Sequence, residues 1–271
     1  MKRLLVLLIV AACVASAAAM AQASPVPGAV VKVSQPPEMT NEWGVDIESN
    51  QFNIDTPGAP SITVDKIIAD DWMCPDGRPI TDIHWWGSYF GNPVLGSFRI
   101  SIFTDVPASA AAEIPSHPGN LLYNEIIPFS DAHEVLYPFP GNTSVYQYYV
   151  VLPKPFPQTQ GTIYWLSIEA IAAQPPGNVA IWGWHTAVLP DLVHNLDDAV
   201  AIFNYDFQSG TYNAQGYPET WHDIHWEVGE LNPSLDMAFE LTTVPEPATI
   251  MMIGGALVGF AAVARRKFLN R

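Results

Sequence analysis

Cationic side chains are scarce in this chain, and cysteine is scarcer still. Of 271 residues, 11 are lysine or arginine against 27 acids, and only Cys13 and Cys74 carry thiols. Six of the cations lie at the extreme ends. Between residues 24 and 244 the only ones are Lys32, Lys66, Arg78, Arg99 and Lys154, which against 26 acids leave a net charge of −21. Such a surface repels nucleic acid and anionic membranes and suits divalent cations, neutral glycans or basic partners. A single cysteine in that stretch excludes an internal disulfide, so packing or metal must hold it together. No twelve-residue stretch there combines helical periodicity with freedom from proline and turn residues, which argues against a helical body. His-Glu-x-x-His, Gly-x-Ser-x-Gly, phosphate loops and dinucleotide fingerprints are all missing.

What is present begins at the ends. Met1-Lys2-Arg3 precedes an apolar run over 4–14, and a small-residue stretch closes at Ala21-Gln22-Ala23. A basic start, a short apolar core and an A-x-A site make a secretory signal. Cleavage is expected after Ala23, with Ala21 and Ala23 as the recognised small residues and the Ala17-Ala18-Ala19 site next in line. Val10-Ala11-Ala12-Cys13 also resembles a lipobox. At the other end, Val244-Pro245-Glu246-Pro247 is followed by 17 uncharged, glycine-containing residues over 248–264, then by Arg265, Arg266 and Lys267. The length is at the short end for a membrane span, and the basic cluster should stay cytoplasmic. Both ends therefore place the middle outside the inner membrane. A plain C-terminal anchor is the simpler alternative.

Pro245, Glu246 and Pro247, the glycine-rich apolar segment and the terminal basic cluster together resemble the PEP-CTERM sorting signal. The resemblance implies processing near that motif by exosortase, a membrane cysteine protease or transpeptidase, and residence at the cell surface or in an exopolysaccharide or biofilm matrix. The middle resembles an uncharacterised domain of planctomycete-type PEP-CTERM proteins. That resemblance rests on Ala69-Asp70-Asp71-Trp72-Met73-Cys74, Pro79-Ile80-Thr81-Asp82-Ile83-His84-Trp85-Trp86-Gly87-Ser88, Thr104-Asp105-Val106-Pro107-Ala108, Pro118-Gly119-Asn120-Leu121-Leu122 and Asp236-Met237-Ala238-Phe239. It implies no activity.

Twenty-three of the 25 prolines fall between 24 and 244, separating short β-branched and aromatic runs. This is the pattern of an all-β sandwich or barrel. Phe98-Arg99-Ile100-Ser101-Ile102 and Leu235-Asp236-Met237-Ala238-Phe239-Glu240-Leu241 alternate clearly, apolar on one face and polar on the other. Other strands are expected over 62–69, 80–86, 121–127, 145–152, 162–169, 178–184 and 199–204. Without helices to cross over, antiparallel pairing follows. The expected architecture is an antiparallel, jelly-roll-like two-sheet β-sandwich over 41–244. A signal peptide (1–23) and an extended proline-rich arm (24–40) precede it, and the sorting signal (245–271) follows.

Candidate sites are sparse, and no catalytic residue is assigned. On a strand, Asp223, His225 and Glu227 share a face and form a weak metal-ligand set; a solvated polar face is the plainer reading. Paired aspartates elsewhere leave room for a structural calcium, but no Asp-x-Asp-x-Asp-Gly loop is present. Trp86 and Trp184 each lie beside a glycine, which lets another group approach closely, and are the candidate glycan platforms. The expected function is a non-enzymatic glycan-binding or structural module of the cell surface. The rival is an extracellular polysaccharide hydrolase working through paired carboxylates. Expected partners are exosortase, extracellular polysaccharide and, before processing, the membrane, with no nucleic acid.

Overall fold

Alternation of apolar and polar residues carries through to two stacked sheets in a computed structural model of the chain. The structure describes residues 28–39, 44–54, 62–90, 95–110, 114–137, 144–172, 181–188, 197–203, 205–206, 211–212, 221–224 and 235–244. Sheet 1 is built from β1 (Val30–Gln35), β2 (Asp46–Glu48), β5 (Ile80–Phe90), β8 (Val135–Tyr137), β9 (Val145–Phe156), β11 (Ile181–His185) and β16 (Phe239–Thr243). Sheet 2 takes β3 (Asn50–Ile54), β4 (Ile62–Met73), β6 (Leu95–Val106), β7 (His117–Pro128), β10 (Ile163–Ala172), β12 (Val200–Phe203) and β15 (His222–Asp223). A small ribbon of β13 (Tyr205–Asp206) and β14 (Thr211–Tyr212) and one 3-10 turn at Phe129–Asp131 complete the described elements. Residues 31–243 form one unit. The chain ends form another, of which only 28–30 and 244 are described.

The sheets meet over an aromatic core. Phe98 of β6 reaches across to sheet 1, edge-on to Trp85 at 5.2 Å and in contact with Tyr148 and Trp182 at 5.1 Å each. Ile100, Ile102, Leu166 and Ile168 join it from sheet 2, and Ile83, Phe239 and Leu241 from sheet 1. Each fully buried side chain of this size stabilises the fold by about 1.5–3 kcal/mol. Neighbouring residues point the other way. Ile67, Ala69, Phe103 and Trp165 gather with Val200, Ile202 and Trp221 on the opposite face of sheet 2. Sheet 2 is therefore buried on both faces along β4, β6, β10 and β12, while β7 keeps one face exposed. Cys74 is a buried free thiol in the inter-sheet core.

Two expectations need correction. Pairing is not wholly antiparallel: β3 runs parallel to β10 through Ala170–Asn50 and Ile171–Gln51. The long intervening chain, six strands of it, supplies the crossover that parallel pairing requires. Nor is 24–40 simply an arm, because Val30–Gln35 is a strand alongside β16. Its Val-x-Val alternation is short, and the prolines around it hid the signal. No helix among the described residues is long and apolar enough to cross a membrane. The expected helix over 248–264 lies outside them, as do Ala21, Ala23, Pro245, Glu246, Pro247, Arg265, Arg266 and Lys267.

Candidate functional site

Both tryptophans expected to present a ring to ligand are interior, at 3% exposure for Trp86 and 0% for Trp184. Trp86 sits on the outer face of sheet 1, covered by Val145, Ala238 and the edge-on ring of Tyr137 at 5.9 Å. Trp184 lies between the sheets and donates its indole N–H to the Ala238 carbonyl at 2.9 Å. The adjacent glycines do mark a close approach, but by the protein itself. A Cβ on Gly87 would collide with the Trp182 ring and the Gly183 carbonyl, and one on Gly183 would lie 2.6 Å from Asp46 Cβ. The space that the sequence suggested for a ligand is filled by the neighbouring strand.

Of the candidate metal-ligand set only Asp223 lies within the described residues. Asp223 is half-buried on β15, opposite Val200 of β12, whereas His225 and Glu227 lie outside the described residues. Among the described residues no three His, Cys, Asp or Glu side chains are arranged to hold a metal ion, structural calcium included.

Three polar constellations emerge that sequence spacing did not reveal. In the first, Ser88 Oγ donates to Asp46 Oδ2 (2.6 Å), and Asp46 Oδ1 lies 2.9 Å from His185 Nδ1. His185 Nε2 in turn lies 2.8 Å from the Glu38 carbonyl. The residue types are those of a nucleophilic triad, but the carboxylate occupies the middle. The hydroxyl contacts the carboxylate and not the imidazole, so the order of a nucleophilic triad is not reproduced and the chain ties β5, β2 and β11 together.

In the second, His84 Nε2 pairs with Asp82 Oδ2 at 3.0 Å, both buried on β5. Burial alone would push the Asp82 carboxyl up. The hydrogen bonds from His84 and Thr81, with the imidazole charge, outweigh it and hold Asp82 below the ordinary carboxylate range.

The third is a group of acids. Asp70, Asp71 and Asp236 are 0%, 2% and 6% exposed. Asp70 points into the inter-sheet core, where its oxygens accept the backbone N–H groups of Asp71 (2.8 Å) and Met237 (2.7 Å). Asp71 Oδ2 and Asp236 Oδ1 are buried without a hydrogen-bond partner. Burial, then the neighbouring charge of Asp197, raises Asp71 to about 8; burial and the charge of Asp198 raise Asp236 to about 7. Such raised carboxyls are the type a glycosidase would use as its acid, but at this burial they are closed to a polymer.

The surface offers a different kind of feature, a groove of about 600 Å³ between β7 and the end of β9. Tyr123, Phe156 and Tyr164 form its floor in successive edge-on contacts at 6.1 and 5.4 Å. Glu125 and the exposed Lys154 face each other at 3.9 Å, and Pro155 and Pro157 form the rim on the β9 side. The Tyr123 hydroxyl is buried there without a partner. The volume suits a small ligand or a short stretch of polymer.

Comparison with known families gives two matches. The model described as a domain of unknown function (DUF7901) matches residues 31–242, and the PEP-CTERM protein-sorting motif matches residues 243–267. No curated protein and no solved structure matches the chain.

Proposed function

The chain belongs to the DUF7901 family and ends in a PEP-CTERM sorting motif that makes it an exosortase-sorted extracellular protein; from this we propose that its β-sandwich is a non-enzymatic, glycan-binding or structural module of the surface matrix. One observation carries the reading. The sorting motif begins at residue 243, where β16 (Phe239–Thr243) ends, so the processing signal follows the last core strand with no intervening linker. Processing near Pro245-Glu246-Pro247 would leave the sandwich itself at the new C-terminus.

Glycan binding draws on the groove between β7 and β9 rather than on Trp86 or Trp184. Its tyrosine floor and the facing Glu125 and Lys154 offer both apolar contact and hydrogen bonding to a sugar. The test has two parts. Mass spectrometry of protein from an exosortase-bearing host should give a start near Ser24 and an end near Val244-Pro245-Glu246-Pro247; retention of Arg265-Arg266-Lys267 would refute exosortase cleavage. Affinity electrophoresis against soluble polysaccharides should then show retention that Tyr123→Ala weakens. Turnover of any polysaccharide in the same panel would favour the hydrolase instead.

A further inference from the structure

Sheet edges that avoid pairing with other chains are short or carry charge. Most edges among the described residues obey this. β2, β8 and β15 have three, three and two residues, and β1 has six with Lys32 among them. β7 (His117–Pro128) is different. It closes sheet 2 at twelve residues and pairs with β6, and among the described residues no strand covers its other edge. Between Pro118 and Pro128 its only charged residue is Glu125. Leu122, Asn124 and Ile126 share its exposed face, with Leu122 47% and Ile126 56% exposed.

Two local features bound the free run. Leu122 is the extra residue of a bulge, lying between Leu121 opposite Phe103 and Tyr123 opposite Ile102. Pro128 has no N–H to donate and ends the run on the other side. The stretch from Leu122 to Ile127 is close to the common length of a strand. Its outward backbone groups can accept one more strand.

Charge and alternation decide which strand fits. Residues 24–244 carry a net charge of −21, so two copies repel over most of their surface. The β7 edge is an exception, because Lys154, 82% exposed, lies 3.9 Å from Glu125 and balances it. Antiparallel pairing of two β7 strands about a two-fold axis at Asn124 would set Ile126 opposite Leu122 of the second copy. Asn124 would then face Asn124, and Tyr123 would face Glu125. Apolar meets apolar and amide meets amide. The two Glu125 residues fall on a diagonal of about 7–8 Å, each with its own Lys154, so the four charges cancel. An axis at Tyr123 would set Leu122 against Asn124, and one at Glu125 would oppose two carboxylates directly. Of the three, the Asn124 axis keeps like with like.

We propose that β7 pairs with β7 of a second copy, joining sheet 2 of both into one continuous sheet. A two-fold contact of this kind closes on itself, so it gives dimers and no fibre. The contact is small, and contacts of this size are weak encounters in dilute solution. Chains held side by side on one surface meet at a high effective concentration, where a weak contact suffices. The pairing does not depend on what the neighbouring groove binds.

The experiment is sedimentation of the full-length chain in detergent, at micromolar to about millimolar concentration, with amide exchange over 122–126 measured in parallel. Dimers should form, and exchange over 122–126 should slow as concentration rises. Added salt should strengthen the pair by screening the repulsion between the two acidic bodies. Asn124→Asp and Asn124→Lys each oppose like charges at the axis, and each alone should dimerise at least about tenfold more weakly. Their equimolar mixture should recover the wild-type strength, because the axis then opposes unlike charges. A chain that stays monomeric throughout the range would overturn the pairing. So would dimers that both variants leave intact, which would put the contact elsewhere, for instance on the apolar segment over 248–264. A mixture as weak as its components would overturn it too, as would association that salt weakens.

Discussion

Sheet 1 and sheet 2 each bury aspartates, and they do so under opposite rules. On β5, Asp82 is enclosed together with His84, whose ring nitrogen lies 3.0 Å away. On β4, Asp70 and Asp71 are enclosed with Asp236, another acid, and two oxygens go without a donor. The first arrangement favours the charged carboxylate, the second the neutral acid. One chain with few cations therefore pairs some of its buried acids, while burial and neighbouring acids raise the carboxyls of others. The two groups titrate in opposite directions and enclose a pH range of maximal stability.

The strongest way to break this comparison is to remove the partner on sheet 1. His84→Ala should destabilise the fold by about 3 kcal/mol or more, because the Asp82 carboxyl would stay buried without the ring N–H that it accepts; chemical denaturation at pH 7 measures it. A loss under about 1 kcal/mol would mean that Asp82 needs no partner and that the two sheets do not differ. Asp82→Asn should cost less, about 1.5–3 kcal/mol, as a hydrogen bond to a charged group is replaced by a neutral one. The depressed Asp82 carboxyl contributes stability that is present above about pH 4 and is lost as pH falls further. The variant should accordingly lose part of the wild-type acid sensitivity in a pH titration of unfolding. The smallest effect belongs to an exposed pair. Lys154→Ala removes the cation 3.9 Å from Glu125, and its thermal unfolding should shift by less than about 1 kcal/mol. If Lys154→Ala nevertheless abolished polysaccharide retention, it would separate binding from stability at the β7–β9 groove.

The sandwich was legible in the alternation of particular runs. Phe98, Ile100 and Ile102 point into the inter-sheet core, as their spacing required. The same spacing put Arg99 on the polar face, and there Arg99 is buried beside Glu169, with Nη1 2.6 Å from Oε2. Alternation reveals that two faces differ but not that both are covered, and sheet 2 is covered on both. Asp236, on the polar side of its run, is buried as well. Leu235 and Phe239 are in the core as expected, although the strand proper starts only at Phe239. The sorting motif was the most readable feature, since its order of parts is linear in sequence. The acid cluster and the β7–β9 groove were not readable, because each joins residues that only the folded pairing brings together.

Gly87 and Gly183 bear on how the sandwich is assembled. On β11, Gly183 sits opposite Ser88, and the next pair sets Trp184 against Gly87. The Trp182 ring occupies the place where a Gly87 side chain would be. Sliding β11 by two residues along β5 would keep every inward-facing ring inward, so the hydrophobic pattern alone does not forbid it. It would, however, take Trp184 off the bare hydrogen of Gly87 and set it opposite Trp85 or Tyr89. The two glycines thus work as a keyway, a notch on each strand that the neighbouring strand fills in this register.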